Sequence, residues 1–480
     1  TTDAAPVSGK AQELAYSLHR GRGIRRIRIP QPREGHAMKT LDSRILPVKT
    51  LSRLPLLLCL AATPAFAQET LDTGTAAWMM TAAALVIMMC IPGLAMFYAG
   101  MLRSRNLLSV FSQFFAGAGL IAILWVIFGY SIVTDATGMV EGEYNLHSFI
   151  GGGASFFLRD LRSDSITLGM PTSVFITFQL SFAIITPAIV AGAFAERIKF
   201  SSAIIFLALW FSLVYAPMAH MVWGGPGSLM ANWGALDFAG GTAVHINSGV
   251  AALTACLVVG RRHGYPAHSM PPHNLGLCLA GAGFVWLGWF GFNAGSAVAV
   301  SGATGMALLN TQLAACTGVL GWMSVEWIRN GRPSALGIAS GALAGLVGVT
   351  PGCAYVGPVG ALIIGIVSGA ICFYFVAIVK RRFGYDDTLD VFGLHGVGGM
   401  VGAILTGIFA STALGGTEDI EMPAQIWAQF KSVAFTIAYS FAVSLVILKI
   451  LDWTIGLRVD PEAEAKGLDQ SEHRETGYNF

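Results

Sequence analysis

The chain has 480 residues, of which 54% are hydrophobic and 12% charged, with a formal charge of +2. A soluble domain carries roughly 25% charged residues, so this much apolar surface has no water-soluble core to hide in and the chain reads as a polytopic membrane protein. So small a net charge, held in short basic clusters between apolar runs, excludes a nucleic-acid partner.

Taken in chain order, Met38 is the first methionine and opens a basic stretch with Lys39, Arg44, Lys49 and Arg53. An apolar run from Leu54 to Ala62 follows, then Ala65-Phe66-Ala67 before Gln68. That is the layout of a secretory signal peptide with an Ala-x-Ala cleavage site over 38–67, so the mature chain is expected to begin near Gln68. Residues 1–37 then lie upstream of the true start; an amphipathic surface arm is the alternative.

A membrane-spanning helix needs about 20 mostly apolar residues. Segments of that kind fall at 76–101, 109–134, 170–194, 202–223, 241–260, 274–292, 303–327, 334–351, 357–380, 391–412 and 429–451. The expected fold is therefore all-α, with eleven transmembrane helices. Loops after odd-numbered segments carry Arg103 and Arg105, Arg197 and Lys199, Arg261 and Arg262, Arg329 and Arg332, then Lys380, Arg381 and Arg382. The other loops hold few basic residues, Arg159, Arg162 and Lys431 being the exceptions. The positive-inside rule puts the first set in the cytoplasm, the mature N-terminus outside and the C-terminus inside.

Five segments before the midpoint and five after make the second half enter the membrane from the opposite side, as two inverted five-helix repeats at 76–260 and 274–412. The membrane domain spans 68–452, with an extra C-terminal helix at 429–451 and a tail over 453–480. Segments five and ten are symmetry mates, and each carries a histidine in an almost uncharged run, His245 and His395. Ionisable groups at membrane depth are costly and rare, which makes a shared functional site the default. A structural histidine bonded to a helix carbonyl is the alternative. Two histidines without a nearby cysteine or third ligand make a poor metal site, so neither metal nor cofactor is expected. The seven cysteines sit in apolar runs without zinc or disulfide spacing and read as packing residues. No nucleophile-and-base set or phosphate loop speaks for an enzyme.

Ordered stretches across about residues 75 to 458 carry a family resemblance. They are Ile91-Pro-Gly-Leu-Ala-Met-Phe-Tyr-Ala-Gly, Ala193-Phe-Ala-Glu-Arg-Ile, Ala219-His-Met-Val-Trp-Gly-Gly, Gly234-Ala-Leu-Asp-Phe-Ala-Gly-Gly-Thr-Ala-Val-His-Ile-Asn, Gly288-Trp-Phe-Gly-Phe-Asn-Ala-Gly-Ser, Gly345-Leu-Val-Gly-Val-Thr-Pro and Asp390-Val-Phe-Gly-Leu-His-Gly. Together they resemble the ammonium transporter (Amt/Mep/Rh) family, in its bacterial ammonium branch. The resemblance implies a homotrimer in the inner membrane with a pore through each protomer. It also implies a recruitment site at Phe178, Phe182, Trp223 and Ser296, a gate of Phe182 on Phe292, and a twin-histidine pair, His245 and His395, along which ammonia passes. Asp237, Asp390 and Trp289 are the expected supports, the two aspartates as caps at the starts of segments five and ten.

The tail, with Ile455-Gly-Leu-Arg-Val, Glu462, Glu464, Lys466-Gly-Leu-Asp469, His473 and Tyr478, resembles the family's regulatory C-terminus. In relatives that segment and the internal loops dock signal proteins of the PII class. Arg474 stands where a glycine is usual, and a solvated, disordered tail is the alternative. Trp223 and Ser296 favour the ammonium branch over an Rh-type ammonia or carbon dioxide channel. A sensor that reports ammonium to a partner is the rival outside transport, although only about thirty residues follow segment eleven.

Overall fold

The computed structural model describes residues 70–479; the expected upstream segment and signal peptide lie outside them. Eleven long helices follow in order: α1 Thr73–Met101, α2 Ser104–Thr134, α3 Thr172–Phe194, α4 Phe200–Trp223, α5 Gly241–Val259, α6 Leu275–Gly295, α7 Gly302–Asn330, α8 Ala335–Gly352, α9 Pro358–Phe383, α10 Phe392–Phe409 and α11 Met422–Thr454. All but α7 are apolar enough to cross a membrane by composition alone. The polar run Asn310-Thr311-Gln312 dilutes α7, and burial absorbs it: Asn310 donates to the carbonyls of Cys353 and Val356. Large apolar side chains such as Met80, Phe115, Ile123, Leu287, Ile366 and Val446 face outward, the arrangement of a surface in lipid.

Local chemistry sets several helix starts. Asp72 accepts from the amides of Gly74 and Thr75 to cap α1, and Asn274 accepts from Leu277 to cap α6. Pro92 interrupts the backbone ladder of α1, where the chain forms a π-type turn over Met89–Leu94.

Helices α1–α5 and α6–α10 form the two inverted repeats, with α11 added outside them. Symmetry mates pack on each other, α1 on α6 and α5 on α10. Small residues permit the approach. A Cβ on Gly249 of α5 would collide with the backbone of Gly396 on α10, and would sit 3.1 Å from the carbonyl carbon of His395. The crossing that joins the histidine helices therefore has no room for a side chain at that point.

On the face that carries the basic clusters, charges are buried and paired. Glu196 accepts from Arg103 Nε at 3.0 Å and from Arg262 Nη1 at 2.8 Å, and Arg262 also forks onto Asp386. One network thus ties together the loops after α1, α3, α5 and α9. Arg197, with no accessible surface, donates instead to carbonyls of Ala193, Ala195 and Gly260 at the ends of α3 and α5. Helix C-termini carry partial negative charge, which suits a buried guanidinium.

The tail is ordered and packs on this face through two short helices, α12 Pro461–Lys466 and α13 Leu468–Glu472. It supplies caps that α2 and α4 lack. Asp469 accepts from the amide of Ser109 at 2.8 Å, and Glu472 from the amide of Phe200 at 2.8 Å. Glu464 binds the amide of His263 and the guanidinium of Arg458, each at 2.7 Å. Arg474 adopts φ +58°, the left-handed region that glycine occupies at least strain.

Two outcomes follow from this packing. Gly249→Ala forces α5 and α10 apart and should lower stability by about 1–3 kcal/mol, read as a lower unfolding midpoint in detergent. Burial would raise the Glu196 and Asp386 carboxyls, but Arg262, with Arg103 beside Glu196 and Arg197 beside Asp386, outweighs it and holds both below their ordinary values. Groups lowered on folding add stability above their unfolded values, 4.5 and 3.8, and lose it as the pH falls through the folded ones. The unfolding midpoint should therefore drop as the pH is taken from 6 to below about 4, and Glu196→Gln should flatten that fall.

Candidate functional site

Site residues gather along a line between the two repeats. At the end opposite the tail face, Phe178 lies 5.1 Å from Phe182 between ring centroids, and Trp223 meets Phe182 edge-on at 5.8 Å and 90°. Phe182 then stacks on Phe292 at 4.2 Å and 18°. Ser296 Oγ donates to the carbonyl of Phe292 at 2.8 Å, one turn earlier, so its lone pairs stay available as acceptors. The four expected recruitment residues and the two expected gate rings thus share one end of the molecule.

Below Phe292, at 5.8 Å, lies His245, which also stacks on Trp289 at 5.3 Å and 20°. Trp289 is fixed from behind, its indole N–H donating to Thr350 Oγ1 at 3.0 Å. The two histidines meet directly: His395 Nδ1 and His245 Nδ1 are 3.2 Å apart, with both residues buried. They border a small cavity of about 10 Å³, otherwise lined by residues such as Ile185, Ile189, Val285 and Leu343. That volume is about the least a single water requires. His245 Nε2 has no hydrogen-bond partner there.

Backbone geometry at the two histidines is matched. His245 lies in a π-type turn over Gly241–Ile246 and His395 in another over Phe392–Gly396, each at the start of its helix. Such turns re-aim a side chain by one residue's rotation and recur at functional sites. Hydropathy carries no signal for them; the Gly-Gly before Thr242 and the Gly on either side of Leu394-His395 are the nearest hints.

Asp237 is built into the start of α5. Its carboxylate accepts four amides at the start of α5, Gly240 at 2.8 Å, Gly241 and Thr242 at 2.7 Å, and Ala243 at 3.1 Å. Its carbonyl accepts the Trp223 indole N–H at 2.9 Å. One residue therefore sets both the start of the histidine helix and the ring of Trp223.

Asp390 departs from its expected capping role. The carboxylate that accepts from the start of α10 is that of Asp387, from the Phe392 amide at 2.7 Å, while Asp390 pairs with Lys380 at 2.6 Å. Asp390 has φ +60°, and the chain reversal there swings its side chain toward α9. The sequence held the signal in its Asp386-Asp387 pair, without a rule to choose between three nearby aspartates. Sequence reasoning also passed over Thr350 and Asn293, whose side chains join behind Trp289.

On the tail face a vestibule of about 820 Å³ opens beside Leu394, the neighbour of His395. An aromatic mouth, a stacked pair, a buried imidazole pair and a vestibule on the tail face in series define the class: an inverted-repeat membrane transport protein. The family model described as Ammonium Transporter Family matches residues 77–478. An ammonium transporter of Aquifex aeolicus is 43% identical over 438 residues, covering 90% of this chain and all of that protein. One of Bacillus subtilis is 44% identical over 399 residues, covering 82% of this chain and 96% of its own. Among solved structures, a sensor Amt protein aligns with TM-score 0.76 at 29% identity, over 83% of this chain and 98% of that one. Candida albicans Mep2 aligns with TM-score 0.73 at 36% identity, over 82% and 88%. The chain belongs to the ammonium transporter family.

Asp237→Asn should be severe. The amide offers one acceptor oxygen to four N–H groups and turns its own NH2 toward them, leaving buried donors unpaired at about 1–3 kcal/mol each. A lower unfolding midpoint and reduced yield of folded protein are the expected readouts.

Proposed function

We propose that the protein takes ammonium from outside the cell, releases its proton at the aromatic mouth, and conducts neutral ammonia past His245 and His395 into the cytoplasm. The observation that carries this reading is the 3.2 Å contact of two buried imidazoles in an apolar cavity directly below the stacked phenylalanines.

Ammonium gains roughly 0.5–2 kcal/mol over an aromatic face, and the Trp223, Phe178 and Phe182 rings with the Ser296 hydroxyl offer such a seat. Carrying the ion intact through a dry pore would mean stripping its hydration, an idealised cost of order 20 kcal/mol. Losing the proton near Phe182 removes that barrier. A neutral imidazole pair sharing one proton between its Nδ1 atoms leaves one Nε2 as a donor and the other as an acceptor. Ammonia, with one lone pair and three N–H bonds, is held by either. The two roles swap when a proton arrives at the acceptor Nε2, the shared proton crosses between the Nδ1 atoms, and the proton on the other Nε2 leaves, which amounts to a separate proton relay.

In this reading the tail face is cytoplasmic and the aromatic mouth lies outside, in the inner membrane of a bacterium, an orientation supported by the basic loops on the tail face. Residues 38–67 serve as the signal peptide in this reading. The chain acts as a homotrimer in lipid, and the tail face is the dock for a PII-class signal protein. Order in the tail supports the last point, because a docked tail presents a defined surface to a partner. Sensing with little flux is a second reading, favoured by the structural likeness to a sensor Amt protein.

Uptake of radiolabelled methylammonium by cells separates these. His245→Ala breaks a buried hydrogen-bonded pair and should cut uptake roughly tenfold or more. Trp223→Leu should raise the half-saturating concentration by roughly 2- to 30-fold, the worth of a cation over an aromatic ring. Wild-type cells no different from vector controls would defeat transport and leave the sensor reading.

A further inference from the structure

Helix α11 stands outside the two repeats, yet its buried face is a polar stripe of Gln425, Gln429, Ser432, Thr436, Ser440 and Ser444. Spacings of three and four residues put them on one side of the helix. Polar groups at membrane depth need partners within the protein, and α4, α5 and α10 supply several of them. Trp210 of α4 donates to Ser444 Oγ at 2.9 Å, and Ser440 donates to the carbonyl of Asn247 on α5 at 2.7 Å. Gln429 has no accessible surface. Its Oε1 accepts from the Leu236 amide at 2.7 Å, while its Nε2 donates to the Leu236 carbonyl at 2.8 Å and to the carbonyl of Ala403 on α10 at 3.0 Å. Both amide hydrogens are used, and only one orientation of the side chain satisfies all three partners.

Leu236 is the residue before Asp237, and the peptide planes on both sides of Asp237 are pinned. The plane before it carries the Leu236 carbonyl that Gln429 holds. The plane after it donates from the Phe238 amide to the Pro351 carbonyl at 2.9 Å and accepts from the Trp223 indole N–H at 2.9 Å. A residue has only two soft backbone dihedrals, so fixing both planes fixes the backbone of Asp237. Its carboxylate is anchored separately by the four amides of α5. Freeing the Leu236 plane therefore shifts the carbonyl that seats Trp223 more than it shifts the cap of the histidine helix.

We propose that Gln429 is a positioning residue of the aromatic mouth, holding Trp223 in place from α11 through the Leu236–Asp237 peptide. Its bond to Ala403 ties the same loop to α10, the helix of His395, so the indole and the imidazole pair below keep one register. Gln429 touches no cargo. Its effect falls on how tightly the mouth binds, and not on the passage that follows.

The role rests on the reading of that mouth as the place where ammonium enters, and methylammonium uptake by cells, at equal amounts of membrane-inserted protein, tests the two apart. Gln429→Leu keeps the bulk and removes all three bonds; it should raise the half-saturating concentration roughly five- to tenfold, as for one hydrogen bond lost from the Trp223 seat, with a maximal rate close to wild type. Gln429→Glu is nearly isosteric, keeps the acceptor and loses both donors, and should shift the same way; it carries the test where the leucine variant does not fold. Combined with Trp223→Leu, either change should add nothing to the rise that Trp223→Leu produces by itself, because residues acting through one contact are not additive. Ser444→Ala removes another buried bond of α11 and should leave the half-saturating concentration at the wild-type value. An unchanged half-saturating concentration in the Gln429 variants, a fall in maximal rate alone, an equal rise in Ser444→Ala, or a double variant whose rise is the product of the two single rises overturns the positioning role. Wild-type cells without uptake, or Trp223→Leu cells indistinguishable from wild type, overturn the reading of the mouth and this role with it.

Discussion

Contact between two imidazoles 3.2 Å apart is the arrangement on which the rest of this architecture turns. It needs two helices from opposite repeats to touch, which needs glycine at Gly249 facing Gly396. It also needs each helix to begin with a π-type turn, and these turns depend on carboxylates, Asp237 on one side and Asp387 on the other. A chain of local requirements thus ends in one long-range contact.

The same economy governs the polar groups. Membrane interiors offer no water to stray donors, so every buried polar side chain must find its partner inside the protein. Arg197 is answered by helix-end carbonyls, Trp289 by Thr350, and the first amides of α5 by Asp237. Several buried polar atoms of the described residues are nevertheless without a partner, among them Trp125 Nε1, both amide atoms of Gln113, Trp322 Nε1 and His245 Nε2, and the last two residues border cavities.

The tail follows the logic of helix ends. The starts of α2 and α4 have no side-chain cap of their own from the residue preceding them, and Asp469 and Glu472 fill those positions from more than 270 residues away. Its docking is therefore part of how the membrane helices terminate, and not an appendage to a finished bundle. That joins the tail to the loops that the Glu196–Arg262–Asp386 network also binds.

By itself the sequence determined the eleven segments, the two-repeat plan and the symmetric placing of the histidines, because hydropathy over about 20 residues and charge in short loops are local quantities. The segment read at 429–451 extends to Met422–Thr454, since ends rich in polar residues such as Gln425 are hidden from a hydropathy reading but stable once buried. Family resemblance supplied the candidate site residues, of which Asp237, Trp223, Phe182 and Phe292 are linked in series by contacts. Tertiary structure alone decided which aspartate caps α10 and that the tail is docked. Each of these depends on groups far apart in the chain choosing one partner among several, and such a choice exists only after the helices have packed.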